Sequence, residues 1–302
     1  MAVHKPRRLM PGARIGVIAP AGCVEPNALN CGLEAIRAEG FDVELGANIF
    51  ARKGYLAGEA EGRAADLRGF FERRDIDAIF CARGGFGSVQ LLPHLNSELK
   101  NYPKIFVGYS DITILLNWLR QTCGMVTFHA PMVAEDIARG LSAQGKAHLW
   151  RKLRGERDDW SVRLDASVRP GIANAEMIGG CLSILVTTLG TPYEIDTKGK
   201  ILFIEDIGER PYRIERMLTH LQLAAKLDGV AGVVFGDFTN CEDQGSRGIG
   251  EIITEMFRDA PYPVAMGMRA GHGQENLALP FGARIRLDGT TARLNLLESP
   301  VA

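Results

Sequence analysis

Four short runs in the first 130 residues are almost wholly apolar: 14–19 (RIGVIA), 76–82 (IDAIFCA), 105–108 (IFVG) and 126–129 (VTFH). A strand with one wet face alternates apolar with polar residues, and these runs do not, so both of their faces must be covered. Between them the spacing turns helical, over 27–39, 59–73, 88–92 and 111–121, with a further strand at 41–45. In the 59–73 segment Ala64, Leu67, Phe70 and Phe71 fall on the helical repeat of an otherwise charged stretch. Doubly buried strands alternating with helices predict an open α/β domain built on a parallel sheet.

Past residue 140 the pattern breaks. The segment 146–171, KAHLWRKLRGERDDWSVRLDASVRPG, is charged and keeps little periodicity after Leu153. Strands are expected again at 200–204, 229–235, 264–268, 283–287 and 292–296, with one clear helix at 211–223 that opens on proline. Asp288-Gly289-Thr290-Thr291 between the last two strands reads as a hairpin turn. The expected organisation is therefore a first domain over 1–145, an inter-domain segment over 146–172, and a β-rich second domain over 173–302. A length of 302 residues suits two domains of common size.

Lys and Arg number 35 against 36 Asp and Glu, a formal net charge of −1. That balance gives no electrostatic reason to expect nucleic acid or an acidic membrane as partner, which points to a small molecule. The apolar run 15–19 ends at Pro20 and is too short for the core of a signal peptide. No stretch reaches the roughly 18 apolar residues of a membrane span. Cysteines 23, 31, 81, 123, 181 and 241 are scattered with no CxxC pair, which fits a reducing cytoplasm.

Four stretches have residues suited to chemistry. In Gly108-Tyr109-Ser110-Asp111 the serine stands where a strand gives way to a helix, the sheet edge at which open α/β folds bind ligands. A nucleophilic serine needs an exposed Oγ and nearby N–H donors, which such a corner supplies. The second glycine of a G-x-S-x-G elbow is missing, and a serine N-cap is the plain alternative. Arg83-Gly84-Gly85-Phe86-Gly87 also joins a strand to a helix, and Gly85 could offer an oxyanion N–H. It has neither dinucleotide-binding spacing nor a P-loop lysine, and a tight turn would explain it equally.

Glu205 and Asp206 end an apolar strand. Adjacent strand residues point to opposite faces, so one of them at most would orient a histidine. His272 lies between Gly271 and Gly273 and is expected to be loosely packed. His129 ends a first-domain strand and competes with it, whereas His4, His94, His148 and His220 sit in surface or packing contexts. Cys123, His129, Glu135 and Asp136 lie near one another in sequence but lack paired-ligand spacing, so no metal is expected.

Taken in order, the segments IGVIAPAG, ARGGFG, GYSD, HAPM, GGCLS, FIEDIGERPYRIERML and GHGQENLALPFGARIRLD resemble the LD-carboxypeptidase family of serine peptidases, nearly end to end. That family includes muramoyl-tetrapeptide carboxypeptidases and microcin C self-immunity peptidases. The resemblance implies a flavodoxin-like first domain and a swivelling β/α second domain with the site between them. It also implies a triad of Ser110, His272 and Glu205, choosing His272 over His129 and Glu205 over Asp206. The oxyanion would be received by the backbone N–H groups of Gly85 and Asp111. No cofactor is implied, and a homodimer is. One departure is Cys181 in GGCLS, where the family pattern carries asparagine.

The function expected is a cytoplasmic serine carboxypeptidase that removes the terminal D-alanine from murein tetrapeptides. The alternatives are an immunity-type hydrolase of peptidyl nucleotides and a non-catalytic binding protein. The loop 239–247, TNCEDQGSR, has no aromatic residue to stack on a nucleobase. An exopeptidase must also recognise a free α-carboxylate, for which Arg83 and Arg210 are the best-placed cations.

Overall fold

The computed structural model describes residues 3–156, 160–243, 245 and 247–302. The chain forms two compact units, Met1–Glu156 with Leu277–Pro280 and Pro300–Ala302, and Arg157–Asn276 with Phe281–Ser299.

The first unit carries β1 (Arg14–Ile18), α1 (Pro26–Ala38), β2 (Asp42–Leu45), α2 (Ala60–Glu72), β3 (Ala78–Cys81), β4 (Ile105–Gly108), α3 (Thr113–Cys123), β5 (Thr127–His129) and α4 (Ala143–Arg154). Strands β2, β1, β3, β4 and β5 are parallel neighbours in that order. Every residue of β3, β4 and β5 is buried, as strands without a polar phase require. The core on one side of the sheet joins Ile15, Val17, Phe80, Ile105, Val107 and Phe128 to Leu29, Leu33 and Ile36 of α1.

Two local expectations change here. Residues Ser88–His94 form a 3-10 helix with Pro93 inside it. The helix after Ser110 begins as a single 3-10 turn, Ser110–Ile112, and becomes α-helical at Thr113. The charged 146–171 segment is itself partly helical: Ser142 Oγ accepts from Gly145 N at 3.0 Å at the head of α4, and Gly155 ends it at φ 65°. Leu149, Trp150 and Leu153 bury its inner face, with Trp150 stacked on Phe80 at 6.0 Å. Few apolar residues suffice when one is tryptophan.

The second unit begins with β6 (Ser161–Arg163), β7 (Ala166–Arg169), β8 (Ile172–Cys181) and α5 (Leu182–Val186). It continues through β9 (Ile201–Ile207), α6 (Pro211–Leu223), β10 (Gly232–Thr239), α7 (Ile249–Phe257) and β11 (Val264–Met266). After β12 (Leu279–Phe281), which joins the first unit's sheet beside β5, come β13 (Arg284–Asp288) and β14 (Arg293–Leu296). The eight-stranded sheet runs β6-β14-β13-β8-β9-β10-β11-β7. Its centre, β8 to β11, is parallel, and its flanks are antiparallel. Strand β13 pairs with both β8 and β14, so the closing hairpin at 288–291 is part of the sheet.

Candidate active site

In the first unit the chain leaves β4 at Gly108, passes Tyr109 in an extended conformation, and turns at Ser110 with φ 61°. A residue with a Cβ seldom enters this left-handed region, and holding one there costs on the order of 1–3 kcal/mol. The N-cap alternative for Ser110 fails, because neither the 110–112 turn nor α3 has a side-chain cap hydrogen bond. Its hydroxyl therefore has no capping duty to explain it.

Gly84 lies directly against this serine. A Cβ built on Gly84 would stand 2.9 Å from Ser110 Cβ, 3.0 Å from Ser110 Oγ and 3.5 Å from the Asp111 nitrogen. The second glycine of Arg-Gly-Gly-Phe-Gly, Gly85, has φ 104°, and Gly84 O accepts from Gly22 N at 3.0 Å. The glycine loop is thus shaped against the serine and not merely a turn. The Asp111 carboxylate is buried, accepts from Ser88 N at 2.8 Å, and has its pKa pushed up by that burial against the opposing pull of Ser88. Ser88 Oγ donates to the Asp111 carbonyl at 2.5 Å, closing a two-bond clamp between the glycine loop and the serine turn.

The other first-unit candidates are engaged differently. Arg83 Nη1 donates to the Cys23 carbonyl at 2.9 Å and its Nε lies 3.5 Å from Glu135 Oε1. His129 is fully buried in β5, with its ring edge-on to Tyr109 at 5.7 Å.

In the second unit, Glu205 stands near the carboxyl end of β9 and is fully buried. His272 Nδ1 donates to Glu205 Oε2 at 2.8 Å, with 12% of the imidazole side chain exposed. A carboxylate only accepts, so this contact fixes the proton on Nδ1 and makes Nε2 the basic nitrogen. Burial raises the Glu205 pKa, and the His272 contact opposes that rise. Asp206 is committed elsewhere: it accepts from Ser183 N at 2.7 Å, Ser183 Oγ at 3.1 Å and Ile207 N at 2.8 Å.

The expectation that His272 is loosely packed is corrected. A Cβ on Gly271 would fall 2.4 Å from Glu205 Oε2, and one on Gly273 2.3 Å from Asp237 Oδ2. The glycines are there because the loop is pressed between two carboxylates. Asn276 Oδ1 accepts from Gly271 N at 3.1 Å and steadies the same loop.

Asp237 was not singled out from the sequence, although it stands near the carboxyl end of the apolar strand β10 as Glu205 does in β9. Its pKa is pushed up to about 6, chiefly by burial and then by Glu205 and Asp165. Cys181 ends β8 in register with Glu205, is buried, and lies 3.3 Å from Ser183 Oγ and 3.5 Å from Asp206 Oδ1. Its thiol pKa is raised by burial. Arg210 is exposed at the N-cap of α6. No group of three or more His, Cys, Asp or Glu among the described residues could hold a metal ion. No helix among them is long and apolar enough to cross a membrane.

A strained serine at a strand–helix corner and a buried carboxylate–histidine pair are the parts of a serine-type peptidase. Profiles of the LD-carboxypeptidase N-terminal and C-terminal domains match residues 15–130 and 174–287. The probable murein peptide carboxypeptidase of Bacillus subtilis is 38% identical, over 99% of this chain and 96% of its own. The murein tetrapeptide carboxypeptidase of Pseudomonas aeruginosa is 32% identical, over 93% of this chain and 94% of its own. A crystal structure of muramoyltetrapeptide carboxypeptidase from Oxalobacter formigenes superposes with a TM-score of 0.85 at 28% identity, covering 94% of this chain and 98% of that one. The chain belongs to the LD-carboxypeptidase family.

Proposed function

We propose that this chain is a serine carboxypeptidase that removes the terminal D-alanine from murein tetrapeptides, cutting the bond between the L-centre of the third residue and D-alanine. The observation that carries the reading is the 2.8 Å contact between His272 Nδ1 and the buried Glu205 carboxylate, which leaves Nε2 as the base a serine nucleophile needs. In this reading Ser110 Oγ attacks the scissile carbonyl while His272 Nε2 takes its proton. The N–H groups of Gly85 and Asp111 receive the oxyanion. His272 then returns the proton to the nitrogen of D-alanine, which leaves. Water, deprotonated by His272, releases the tripeptide and restores the serine. Glu205 stabilises the imidazolium formed in each half-reaction.

The departing residue carries a free carboxylate, and burying that charge unpaired is costly. Arg83 already serves Cys23 and Glu135, so Arg210 is the better assignment for this contact. Similarity to enzymes named for murein peptides supports the substrate class, recycling of wall fragments fits a cytoplasmic enzyme, and the family resemblance supports a homodimer. Cell fractionation and light scattering check those two properties.

Three substrates decide the reading: a murein tetrapeptide, its C-terminal amide and a peptidyl nucleotide, each followed by mass detection of the products. The tetrapeptide should lose D-alanine. The amide should be cut with a kcat/KM lower by about 10²-fold or more, the loss of a buried charged hydrogen bond. The nucleotide should remain intact. Equal cleavage of acid and amide would contradict the exopeptidase reading, and preferential cleavage of the nucleotide would favour the immunity-type alternative.

A further inference from the structure

Arg63 lies in the segment 59–73, where sequence alone expects a charged helix with an apolar face at 64, 67, 70 and 71, yet it is 1% exposed and heads the fully buried side chains by volume. Burying a guanidinium is costly unless its donors are met. Nη1 donates to the Pro20 carbonyl at 2.7 Å and to the Gly87 carbonyl at 2.8 Å, and Nη2 donates to Gln90 Oε1 at 2.6 Å, while the buried Nε has no hydrogen-bond partner among the described residues. Its charge also interacts with the buried carboxylate of Asp111. Pro20 belongs to the APAG turn after β1, Gly87 closes the glycine loop, and Asp111 follows the serine. Two loop segments, at the carboxyl ends of β1 and β3, therefore meet at one cation, and Ser88, next to Gly87, ties the second of them to Asp111 after β4. The last glycine of the loop fits this packing: Gly87 has φ 129°, and a Cβ on it would lie 2.6 Å from Arg63 Nη1 and 2.7 Å from Leu56 Cδ2.

Resting on the proposed function, we infer that Arg63 is the positioning residue of the oxyanion hole: it holds the Gly87 carbonyl and Gln90 on either side of Ser88, whose two bonds to Asp111 reach the serine turn, and so fixes the segments that present the Gly85 and Asp111 N–H groups. The Asp111 carboxylate in turn accepts from Ser88 N, which ties the serine turn to the glycine loop. Donors preset toward the developing charge act on the transition state and not on bound substrate.

The test measures D-alanine release from the tetrapeptide, together with affinity for a peptidyl boronic acid that forms a tetrahedral adduct and for the tripeptide product. Arg63→Met should lower kcat by about 10²-fold or more, the usual effect of losing an oxyanion donor, with KM within about threefold of wild type. Boronate affinity should fall with kcat/KM while tripeptide affinity holds, and Arg63→Lys should lie between. If Arg63→Met does not fold, Gln90→Leu removes one acceptor and should shift kcat and boronate affinity the same way, several-fold. A folded Arg63→Met with kcat within threefold of wild type, equal loss of boronate and tripeptide affinity, or an unaffected Gln90→Leu would overturn the inference. Wild-type enzyme that releases no D-alanine would overturn the functional reading and this inference with it.

Discussion

His272 and His129 both follow strands, and their surroundings separate them. His129 is fully buried against Tyr109, whereas His272 is bonded to a carboxylate and partly exposed. His272→Ala should lose about 10⁴-fold or more in kcat, and adding Ser110→Ala should cost nothing further, because the two act as one unit. A folded His272→Ala with near wild-type turnover, beside a dead His129→Ala, would reverse the assignment. Asp237 offers a separate test at this scale. Its folded-state pKa of about 6 lies above the ordinary 3.8, so the folded protein holds the extra proton between those values. Stability should therefore fall as pH rises through that window, and the penalty should be complete above it. Asp237→Asn removes the penalty. It should stabilise the protein at pH 7 by on the order of 1 kcal/mol, allowing for partial exposure, and make no difference below about pH 4. Urea unfolding of both proteins at the two pH values checks this, and equal differences at both would contradict it.

The elements that hold these residues were legible to different degrees. Strands β1, β3, β4 and β5 announce themselves because burial on both faces leaves no polar phase. Strand β8 does not, since Ile172–Cys181 mixes Asn174 and Glu176 with four alanines and glycines and reads as neither strand nor helix. Its pairing with β9 and β13 makes it a strand, and such pairing is invisible to local pattern. Helix α7 was missed although it has a start signal, Gly248 at its N-cap with Glu251 Oε2 accepting from Gly248 N at 3.3 Å. For the site, Ser110 and the pairs Glu205/Asp206 and His272/His129 stood out as residue types at strand ends; spacing chose neither Glu205 nor His272, which came from the family resemblance alone, and the reason for the glycines around His272 was not visible. Gly271→Ala tests that reason. With φ at 118° and Glu205 Oε2 only 2.4 Å from the new methyl, the variant should lose roughly 1–3 kcal/mol of stability and at least about 10²-fold in kcat. A variant that melts and turns over as wild type does would show that the loop is loosely packed after all.

Across the whole molecule, the chain is not divided by a simple cut. Residues Leu277–Pro280 and Pro300–Ala302 return to the first unit, where Ala302 N donates to the Pro6 carbonyl at 2.8 Å and Val301 is buried. Strand β12 was not expected from the sequence at all: Leu279–Phe281 is three residues long with proline at its centre, too short to show a period, and it is a strand only by pairing beside β5. The charged 146–172 segment likewise contributes α4 to one unit and β6 and β7 to the other.

The proposed reaction makes every step depend on one hydroxyl, so D-alanine release by wild type and by folded Ser110→Ala, side by side on the murein tetrapeptide, is the most direct measurement. Loss of one member of a serine triad typically lowers kcat by about 10⁴–10⁶-fold, and a drop of that size is expected here, with circular dichroism and melting temperature unchanged. Release by Ser110→Ala within tenfold of wild type would contradict the serine mechanism.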